Sequence, residues 1–489
     1  MDKKSLFLTH PEGFQQYKKM CMEIIRLIGG WQEEIQKPFS GIAAEDSLKE
    51  SRRHPIAEKE GISFEKALKE VKDTIEKNRI KVEHPRTLAH LHCPPLVPAL
   101  AADMLVSAMN LSMDSWDQSG TASHAEEYML DWLTERYGLG EEAGGTFTSG
   151  GTQSNYMGLL LARDEFCRRR WNWNVQQNGL PPHFSKMKIL CSEAAHFTVK
   201  KSASQLGLGE QSVVTVPVDD RKKIDMGRLE KILRQLKEKG ELPFAIVATC
   251  GTTDFGSIDP LPELARVARE HQIWLHTDAA YGGALILSSL QRNKLEGIEL
   301  SDSVTVDFHK LFYQPISCGA FLLKNKQHFR LIQHHADYLN PEEDEAAGLP
   351  HLVGKSIQTT RRFDVLKLYM SLRVVGTEGF ARLIDGAAEL AGWTAERLEN
   401  DPDFKAVNPK PELTAVVFQY RPEGYPEEQV GGLNYTIHQS LLNEGDAVLA
   451  KTQVQGSTHL KFTILNPASG KEDIEYVLSK IKAFREGKA

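Results

Sequence analysis

The sequence predicts an α/β fold built on a mainly parallel β-sheet with helices on both faces. Short apolar runs alternate with amphipathic helical patterns between residues 146 and 323. The predicted strands are continuous apolar runs, which is typical of strands buried on both faces of a sheet. Sheets of this kind bind ligands at the carboxyl ends of their strands, so a functional site is expected there.

Hydrophobic periodicity places the elements of this sheet one by one. In chain order the central region predicts helix 152–170, strand 187–191, helix 198–208, strand 212–218, helix 226–237, strand 244–249, helix 261–270, and strands 273–277, 303–308 and 318–323. The last region predicts helices 364–378 and 380–398, strands 415–420 and 459–464, and helix 471–484. This pattern indicates a small α+β unit at the carboxyl end.

The first 85 residues predict a helical arm. Amphipathic stretches at 14–28 and 64–80 flank a polar, turn-rich segment, and they contain too few apolar residues for a separate core. We therefore expect the arm to pack on a second subunit of a homodimer. The expected division of the chain is an arm at 1–85, a large α/β domain at 86–375 and a small α+β domain at 376–489.

Composition excludes several classes of protein. The chain of 489 residues carries 59 basic and 66 acidic residues, and its formal net charge of -7 gives no overall attraction for nucleic acid. The first residues lack the apolar run of a signal peptide, and Asp103 interrupts the apolar segment 96–106. The six cysteines include no C-x-x-C pair. These features predict a cytoplasmic protein with reduced thiols and without membrane partners.

Two glycines open the first predicted helix of the central region, in the segment TSGGTQSN at 148–155. Free backbone N–H groups and the helix dipole at such a start favour a phosphate group. The alternative is an ordinary capped helix after a tight turn, because Ser, Thr and Asn are common capping residues.

Three ionisable residues follow predicted strands at one edge of the sheet. Asp278 ends an apolar strand, where an unpaired carboxylate is costly to bury, so an Arg, a helix start or a protonated ring nitrogen should meet it. Lys310 ends another strand, where a lysine can form a Schiff base, although most lysines are surface residues. His196 follows strand 187–191 and either stacks on a flat ring or is a satisfied core histidine.

A phosphate cradle, a protonated ring nitrogen and a Schiff-base lysine together describe pyridoxal 5'-phosphate. The segments SGGTQSN, SEAAHFTVKKSA, ATCGTTDFGSID, WLHTDAAYGG and DFHK also resemble the group II pyridoxal-phosphate amino-acid decarboxylases of fold type I. The resemblance covers nearly the whole chain. It implies a seven-stranded, mainly parallel sheet and a carboxy-lyase that acts on an L-amino acid.

The same resemblance implies a role for each matching residue. Lys310 would form the internal aldimine, and carbon dioxide would leave through a quinonoid intermediate. Asp307 stands where some relatives have Asn, which leaves its contact open. The implied cofactor contacts are those of Gly151 and Thr152 with the phosphate, Thr253 near the ring hydroxyl, Asp278 with the ring nitrogen, Ala280 and His196 with the two ring faces, and Asp307 and His309 beside Lys310.

The proton donor of the last step is left open by the sequence. Many relatives place a tyrosine in the middle of a mobile loop, whereas the corresponding loop at 337–355 has Tyr338 near its beginning. His351 is a candidate substitute.

The substrate is predicted from the segment LAHLHCPP at 88–95, which relatives acting on aromatic amino acids fill with aromatic side chains. Here His90 and His92 favour a polar substrate. A metal site of His90, His92 and Cys93 is less favoured, because its spacing matches no familiar zinc pattern. The stretches 88–119, 355–376 and 460–469 resemble family members that act on L-2,4-diaminobutyrate, which would yield 1,3-diaminopropane.

Other functions stay open on the sequence alone. Decarboxylation of glutamate or aspartate would use the same cofactor, and an extra positive charge in the pocket would favour it. A transaminase is disfavoured because it must retain the α-carboxylate. A catalytically silent cofactor-binding relative is disfavoured because Lys310, Asp278 and His196 occur together. The acidic run at 342–345 either favours a cationic amino acid or is a solvated loop.

Overall fold

The computed structural model describes residues 3–32, 36–57, 59–336, 340, 343–344 and 347–484. Its contacts divide the chain into two compact units. The smaller unit consists of residues 1–89, 419–460 and 468–489, and the larger unit of residues 90–418 and 461–467. The three-part division expected from the sequence stays a prediction.

The strands, in chain order, are β1 (Thr87–Leu88), β2 (Gly144–Thr148), β3 (Met187–Ser192), β4 (Val213–Val216), β5 (Leu242–Thr249), β6 (Trp274–Asp278), β7 (Ser303–Asp307), β8 (Gly319–Leu323), β9 (Phe404–Ala406), β10 (Ala415–Tyr420), β11 (Val448–Val454) and β12 (Ser457–Thr463). The α-helices are α1 (Pro11–Gly29), α2 (Ala44–Ser51), α3 (Phe64–Thr74), α4 (Val97–Met109), α5 (Trp116–Ser119), α6 (Thr121–Arg136), α7 (Gly151–Trp171), α8 (Val175–Asn178), α9 (Thr198–Gln205), α10 (Met226–Glu238), α11 (Leu261–His271), α12 (Val365–Glu399), α13 (Val430–Asn443) and α14 (Lys471–Ala483).

A seven-stranded sheet forms the centre of the larger unit, in the order β2-β8-β7-β6-β5-β3-β4. The five strands from β7 to β4 pair in parallel, and β8 pairs antiparallel with β7 and with β2. The predicted mainly parallel, seven-stranded sheet is therefore confirmed. In the smaller unit, β1 pairs in parallel with β11, and Thr87 lies opposite Val448.

Alternate residues of the central strands belong to two different buried clusters. Leu190, Ile246 and Leu275 pack in one cluster, whereas their strand neighbours Ile189 and Ala245 pack in the other. Because successive side chains of a strand point to opposite faces, both faces of the sheet are buried. This burial explains why the strands are continuous apolar runs in the sequence.

The long helix α7 is buried along most of its length and packs on β5 to β8. Its first residue directly follows the turn after β2. This packing holds the start of α7 at the edge of the sheet where the parallel strands end. None of the helices in the described part of the chain combines the length and the apolarity that crossing a membrane requires.

Gly158 allows α7 to approach β6 closely. A Cβ atom at this position would lie 2.4 Å from Nδ1 and 2.6 Å from Cε1 of His276. We expect Gly158→Ala to lower the free energy of unfolding by about 1–3 kcal/mol, because the fully buried imidazole cannot move away. Chemical denaturation measures the change.

Two glycines of α12 provide matched controls for this substitution. A Cβ atom at Gly386 or Gly392 meets nothing within 4 Å. Alanine at either helical position is expected to stabilise the protein by up to about 1 kcal/mol. If Gly158→Ala had the same free energy of unfolding as these controls, that result would contradict the close approach of α7 to His276.

Candidate active site

A cavity of about 320 Å³ lies at the carboxyl edge of the seven-stranded sheet. Strands β6 and β7 end in Asp278 and Asp307, and α7 begins in the same place. All of the cofactor residues expected from the sequence line it, together with several that the sequence did not single out. The lining residues are Leu91, Ser149, Gly150, Gly151, Thr152, Asn155, His196, Thr249, Gly251, Thr253, Asp278, Ala280, Tyr281, Asp307, His309 and Lys310.

Lys310 forms an ion pair with a buried carboxylate. Its Nζ lies 3.0 Å from Oδ2 of Asp307, whose side chain is 3% exposed. The other oxygen, Oδ1, has no hydrogen-bond partner among the described residues. His309 is held by its Nδ1, which lies 2.8 Å from the carbonyl oxygen of Cys318. The lysine is thus fixed at the cavity wall beside an unsatisfied acceptor.

The start of α7 brings backbone close to the same residues. A Cβ atom on Gly150 would lie 2.8 Å from Cε1 of His309, and one on Gly151 would lie 3.1 Å from Oδ2 of Asp307. Gly150 also has a φ of 143°, which favours glycine. The first N–H groups of a helix have no acceptor within the helix. Since Gly151 and Thr152 line the cavity, these groups could hold an anion there.

Asp278 is held as a hydrogen-bond acceptor on both of its oxygens. Its Oδ1 accepts from the backbone N–H of Ala280 at 3.1 Å, and its Oδ2 accepts from Nδ2 of Asn155 at 2.8 Å. Asn155 was not predicted to have a role, because it resembles a capping residue within the TSGGTQSN segment. Its position at the second turn of α7, facing the end of β6, is visible only in the fold.

His196 is a neutral acceptor on one side of its ring. Its Nδ1 lies 2.9 Å from Oγ1 of Thr198. Burial lowers the pKa of His196, and the negative charge of Asp278 offsets this in part. The imidazole is therefore uncharged at neutral pH, as suits a residue that stacks on a flat ring.

Comparisons with known proteins identify the family to which this chain belongs. A protein-family model described as the pyridoxal-dependent decarboxylase conserved domain matches residues 49–421. The chain belongs to the pyridoxal-dependent decarboxylases. Its cofactor is pyridoxal phosphate and its reaction class is that of a carboxy-lyase, which confirms the corresponding sequence predictions.

Relatives match the chain over most of their length. L-2,4-Diaminobutyrate decarboxylase of Acinetobacter baumannii is 40% identical, covering 99% of this chain and 96% of the relative. The enzyme of the same name from Rhizobium meliloti is 40% identical, covering 86% and 82%. A crystal structure from Vibrio parahaemolyticus, titled as the glutamate decarboxylase domain of diaminobutyrate-pyruvate transaminase and L-2,4-diaminobutyrate decarboxylase, has a TM-score of 0.90 and 38% identity, covering 99% and 98%.

The cavity of this decarboxylase fits its cofactor. The N–H groups at the start of α7 suit the phosphate, and Asp278 offers a buried carboxylate to a protonated ring nitrogen. Lys310 lies within the same cavity for covalent attachment. The lining residues Asp307 and Thr249 also contribute buried polar atoms to this cavity. Oδ1 of Asp307 and Oγ1 of Thr249 have no hydrogen-bond partner among the described residues.

His90 and His92 are not among these lining residues, although Leu91 between them is. Part of each histidine side chain is exposed, and desolvation of the rest lowers the pKa of both. The positive charge of Lys461 lowers the pKa of His90 further, and that of the lining residue His309 lowers the pKa of His92. Across the described stretches of the chain, no three His, Cys, Asp or Glu side chains form a group able to hold a metal ion.

The structure describes one of the two candidate proton donors, His351, and not the other, Tyr338. His351 is buried, its Nε2 lies 3.0 Å from Oδ2 of Asp344, and it is absent from the lining of the cavity. Tyr338 lies outside the described residues, as do Glu342 and Glu345 of the acidic run.

His276, two residues before Asp278, is expected to make the folded decarboxylase less stable in acid. Burial lowers its pKa to about 4, against the attraction of Asp278 for its charged form. In the unfolded chain His276 therefore binds a proton as the pH falls below about 6.5, whereas in the folded chain it does so only near pH 4. We expect this group to remove about 3 kcal/mol of stability between pH 7 and pH 4.

The measurement is chemical denaturation at several pH values, for the wild type and for His276→Gln. Other histidines with lowered pKa values, such as His84, remain in both proteins, so only the difference between the two curves reports His276. The loss of stability with falling pH should be smaller in His276→Gln. Parallel curves would show that His276 is protonated as easily in the folded chain as in the unfolded one.

Proposed function

We propose that this protein decarboxylates L-2,4-diaminobutyrate to 1,3-diaminopropane and carbon dioxide. The observation that carries the proposal is the 40% identity, over 99% of the chain, to a protein named as the decarboxylase of this amino acid. In the reaction the bond from Cα to the carboxylate breaks, its electron pair stays at Cα, and a proton takes the place of the lost carbon dioxide.

Bound pyridoxal phosphate supplies a conjugated ring that accepts this electron pair. In the proposal, Lys310 would hold the cofactor covalently through its amine. Asp278 would hold a proton on the ring nitrogen, and His196 and Ala280 would lie against the ring. The start of α7 at Gly151 and Thr152 binds the phosphate, with Thr253, Asp307 and His309 as the remaining contacts.

His90 and His92 are proposed to face the side chain of the substrate. Because burial lowers the pKa of both, they are uncharged at neutral pH and do not repel the second ammonium group of diaminobutyrate. His351 is proposed as the proton donor to Cα. In this structure its Nε2 contacts Asp344, so this role requires that contact to open.

We further propose that the protein is a cytoplasmic homodimer with active sites at the subunit interface and with its amino-terminal arm on the partner. Helix α1 supports the arm, since Phe14, Ile24, Ile25 and Ile28 expose large apolar side chains. Light scattering is expected to give twice the chain mass. A fully active monomer would rule the dimer out.

The proposed reaction is tested by amine release from a panel of amino acids, with and without added pyridoxal phosphate. The panel contains 2,4-diaminobutyrate, glutamate, aspartate, lysine, ornithine and aromatic amino acids. Cofactor-dependent 1,3-diaminopropane is expected as the dominant product. If another amine dominates, the proposed substrate is wrong, whereas the reaction class is still a decarboxylation. If the cofactor binds and no amine appears, the protein is a catalytically silent relative.

A further inference from the structure

A chain of four hydrogen bonds runs through the buried interior to Asp278. Nε1 of Trp274 donates to Oγ of Ser303 at 2.9 Å, and this Oγ lies 2.8 Å from Nδ1 of His276. Nε2 of His276 lies 2.9 Å from Oδ1 of Asn155, whose Nδ2 donates to Asp278 at 2.8 Å. Each of these five side chains is at most 7% exposed.

The donor of each hydrogen bond follows from the Asp278 end of the chain. The carboxylate of Asp278 accepts, so it takes the amide nitrogen of Asn155 and leaves Oδ1 of Asn155 facing Nε2 of His276. Nε2 must therefore carry a hydrogen and donate it. Because the buried imidazole is uncharged at neutral pH, its Nδ1 accepts the hydroxyl hydrogen of Ser303, whose Oγ accepts from Trp274. Thr305 donates to the same Oδ1 at 2.7 Å and favours the same orientation.

Asn155 also reaches the second ionisable group of the cavity wall. Its Nδ2 donates to Oγ1 of Thr198 at 3.0 Å, which leaves the hydroxyl hydrogen of Thr198 for Nδ1 of His196 at 2.9 Å. The backbone N–H of Thr198 points to the same Nδ1 at 3.4 Å. His196 therefore carries its hydrogen on Nε2. A single amide group thus contacts Asp278 directly and His196 through one hydroxyl.

We propose that Asn155 is a positioning residue for the cofactor, oriented by the chain of Trp274, Ser303 and His276. It holds the carboxylate of Asp278 in place through a donated hydrogen bond, and it sets the tautomer of His196. A hydrogen bond donated to a carboxylate favours its ionised form, so a shared proton stays on the ring nitrogen of the cofactor. This role rests on the proposed function, because that function assigns both side chains to the cofactor ring.

The test is the isosteric variant Asn155→Asp, which replaces the donor with a carboxyl group. When protonated, the new group still donates to Asp278 and still accepts from His276; when ionised, it repels Asp278. We expect a pH-dependent transition in the visible absorption band of bound pyridoxal phosphate that the wild type lacks. At high pH, kcat is expected to fall by roughly 10- to 100-fold relative to the wild type, with recovery as the pH is lowered.

Four further variants separate positioning from stability. Asn155→Ala has no group to titrate, so its loss of kcat and its altered band should persist at every pH. His276→Gln keeps an N–H group for Asn155 and should preserve the absorption band better than His276→Leu. Thr277→Val is the matched control, because Thr277 is the neighbour of His276 in β6 and does not line the cavity. Its Oγ1 is also in a buried hydrogen bond, with Oγ of Ser301 at 2.6 Å.

The outcomes distinguish this role from the proposed function. If the absorption band and kcat of Asn155→Asp follow the wild type at all pH values, Asn155 does not position the cofactor. If both fall equally at all pH values along with thermal stability, its role is only structural. If the wild type binds pyridoxal phosphate and releases no amine, the proposed function fails, and the absorption band still decides the role of Asn155.

Discussion

Lys310→Ala is expected to lower steady-state decarboxylation by at least about 10³-fold, because it removes the amine that we propose would hold the cofactor covalently. The side chain lines the cavity, and its Nζ lies 3.0 Å from Asp307. The variant should still bind pyridoxal phosphate through the remaining contacts. That cofactor should be removed by dialysis, whereas cofactor attached to the wild type should not be.

A lysine outside the cavity provides the control for the lost ion pair. Lys367 in α12 is fully buried, and its Nζ lies 2.8 Å from Oδ1 of Asp364. Lys367→Ala should lose stability, as breaking a buried ion pair does, and keep its kcat, since the residue does not line the cavity. Turnover by Lys310→Ala at the wild-type rate, with protein free of wild-type contamination, would exclude the covalent role.

The chemistry-bearing residues could be predicted because each stands where an apolar run stops. Asp278 and Lys310 follow strands whose other residues are buried, so a charged side chain at that point is visible in the sequence. The fold then brings the ends of these strands to one edge. The predicted break near residue 379 also corresponds to a real feature, since Gly376 inside α12 has a φ of 69° and a ψ of 165°.

Elements with buried polar groups were missed. Helix α6 was not predicted, because Glu126 and Arg361 are both buried and form an ion pair at 2.9 Å, which breaks the apolar periodicity. Strand β11 was also missed, since its second half contains Lys451, Thr452 and Gln453. Periodicity detects an element by the apolar face that it buries, so a buried polar network conceals it.

The same limit explains why the hydrogen-bond chain behind Asp278 escaped prediction. Asn155 and His276 are 121 positions apart, and each belongs to an element that the sequence explains by itself. Asn155 resembles a helix-capping residue, and His276 is one polar residue in an apolar strand. Only the packing of α7 on β6, which Gly158 permits, shows that the two side chains meet.

Asp278→Asn is expected to lower kcat by about 10²–10³-fold with a smaller change in KM, because an amide has no charge to hold a proton on the ring nitrogen of the cofactor. An amide oxygen at Oδ1 still accepts from the N–H of Ala280, whereas an amide nitrogen at the place of Oδ2 cannot accept from Nδ2 of Asn155. The loss should therefore come from the missing charge together with this one lost hydrogen bond. Stopped assays that measure amine release at saturating substrate give kcat directly.

The matched control is Asp259→Asn, which also changes a buried carboxylate at this edge of the sheet. Asp259 accepts from the backbone N–H groups of Ile224 and Thr249, each at 2.8 Å, and burial raises its pKa to about 6. It does not line the cavity, so its variant should lose stability and retain kcat. A common loss in both variants would mean that any missing buried charge disrupts the site. A loss confined to Asp278→Asn means that the charge acts on the cofactor, because burial and shape are matched.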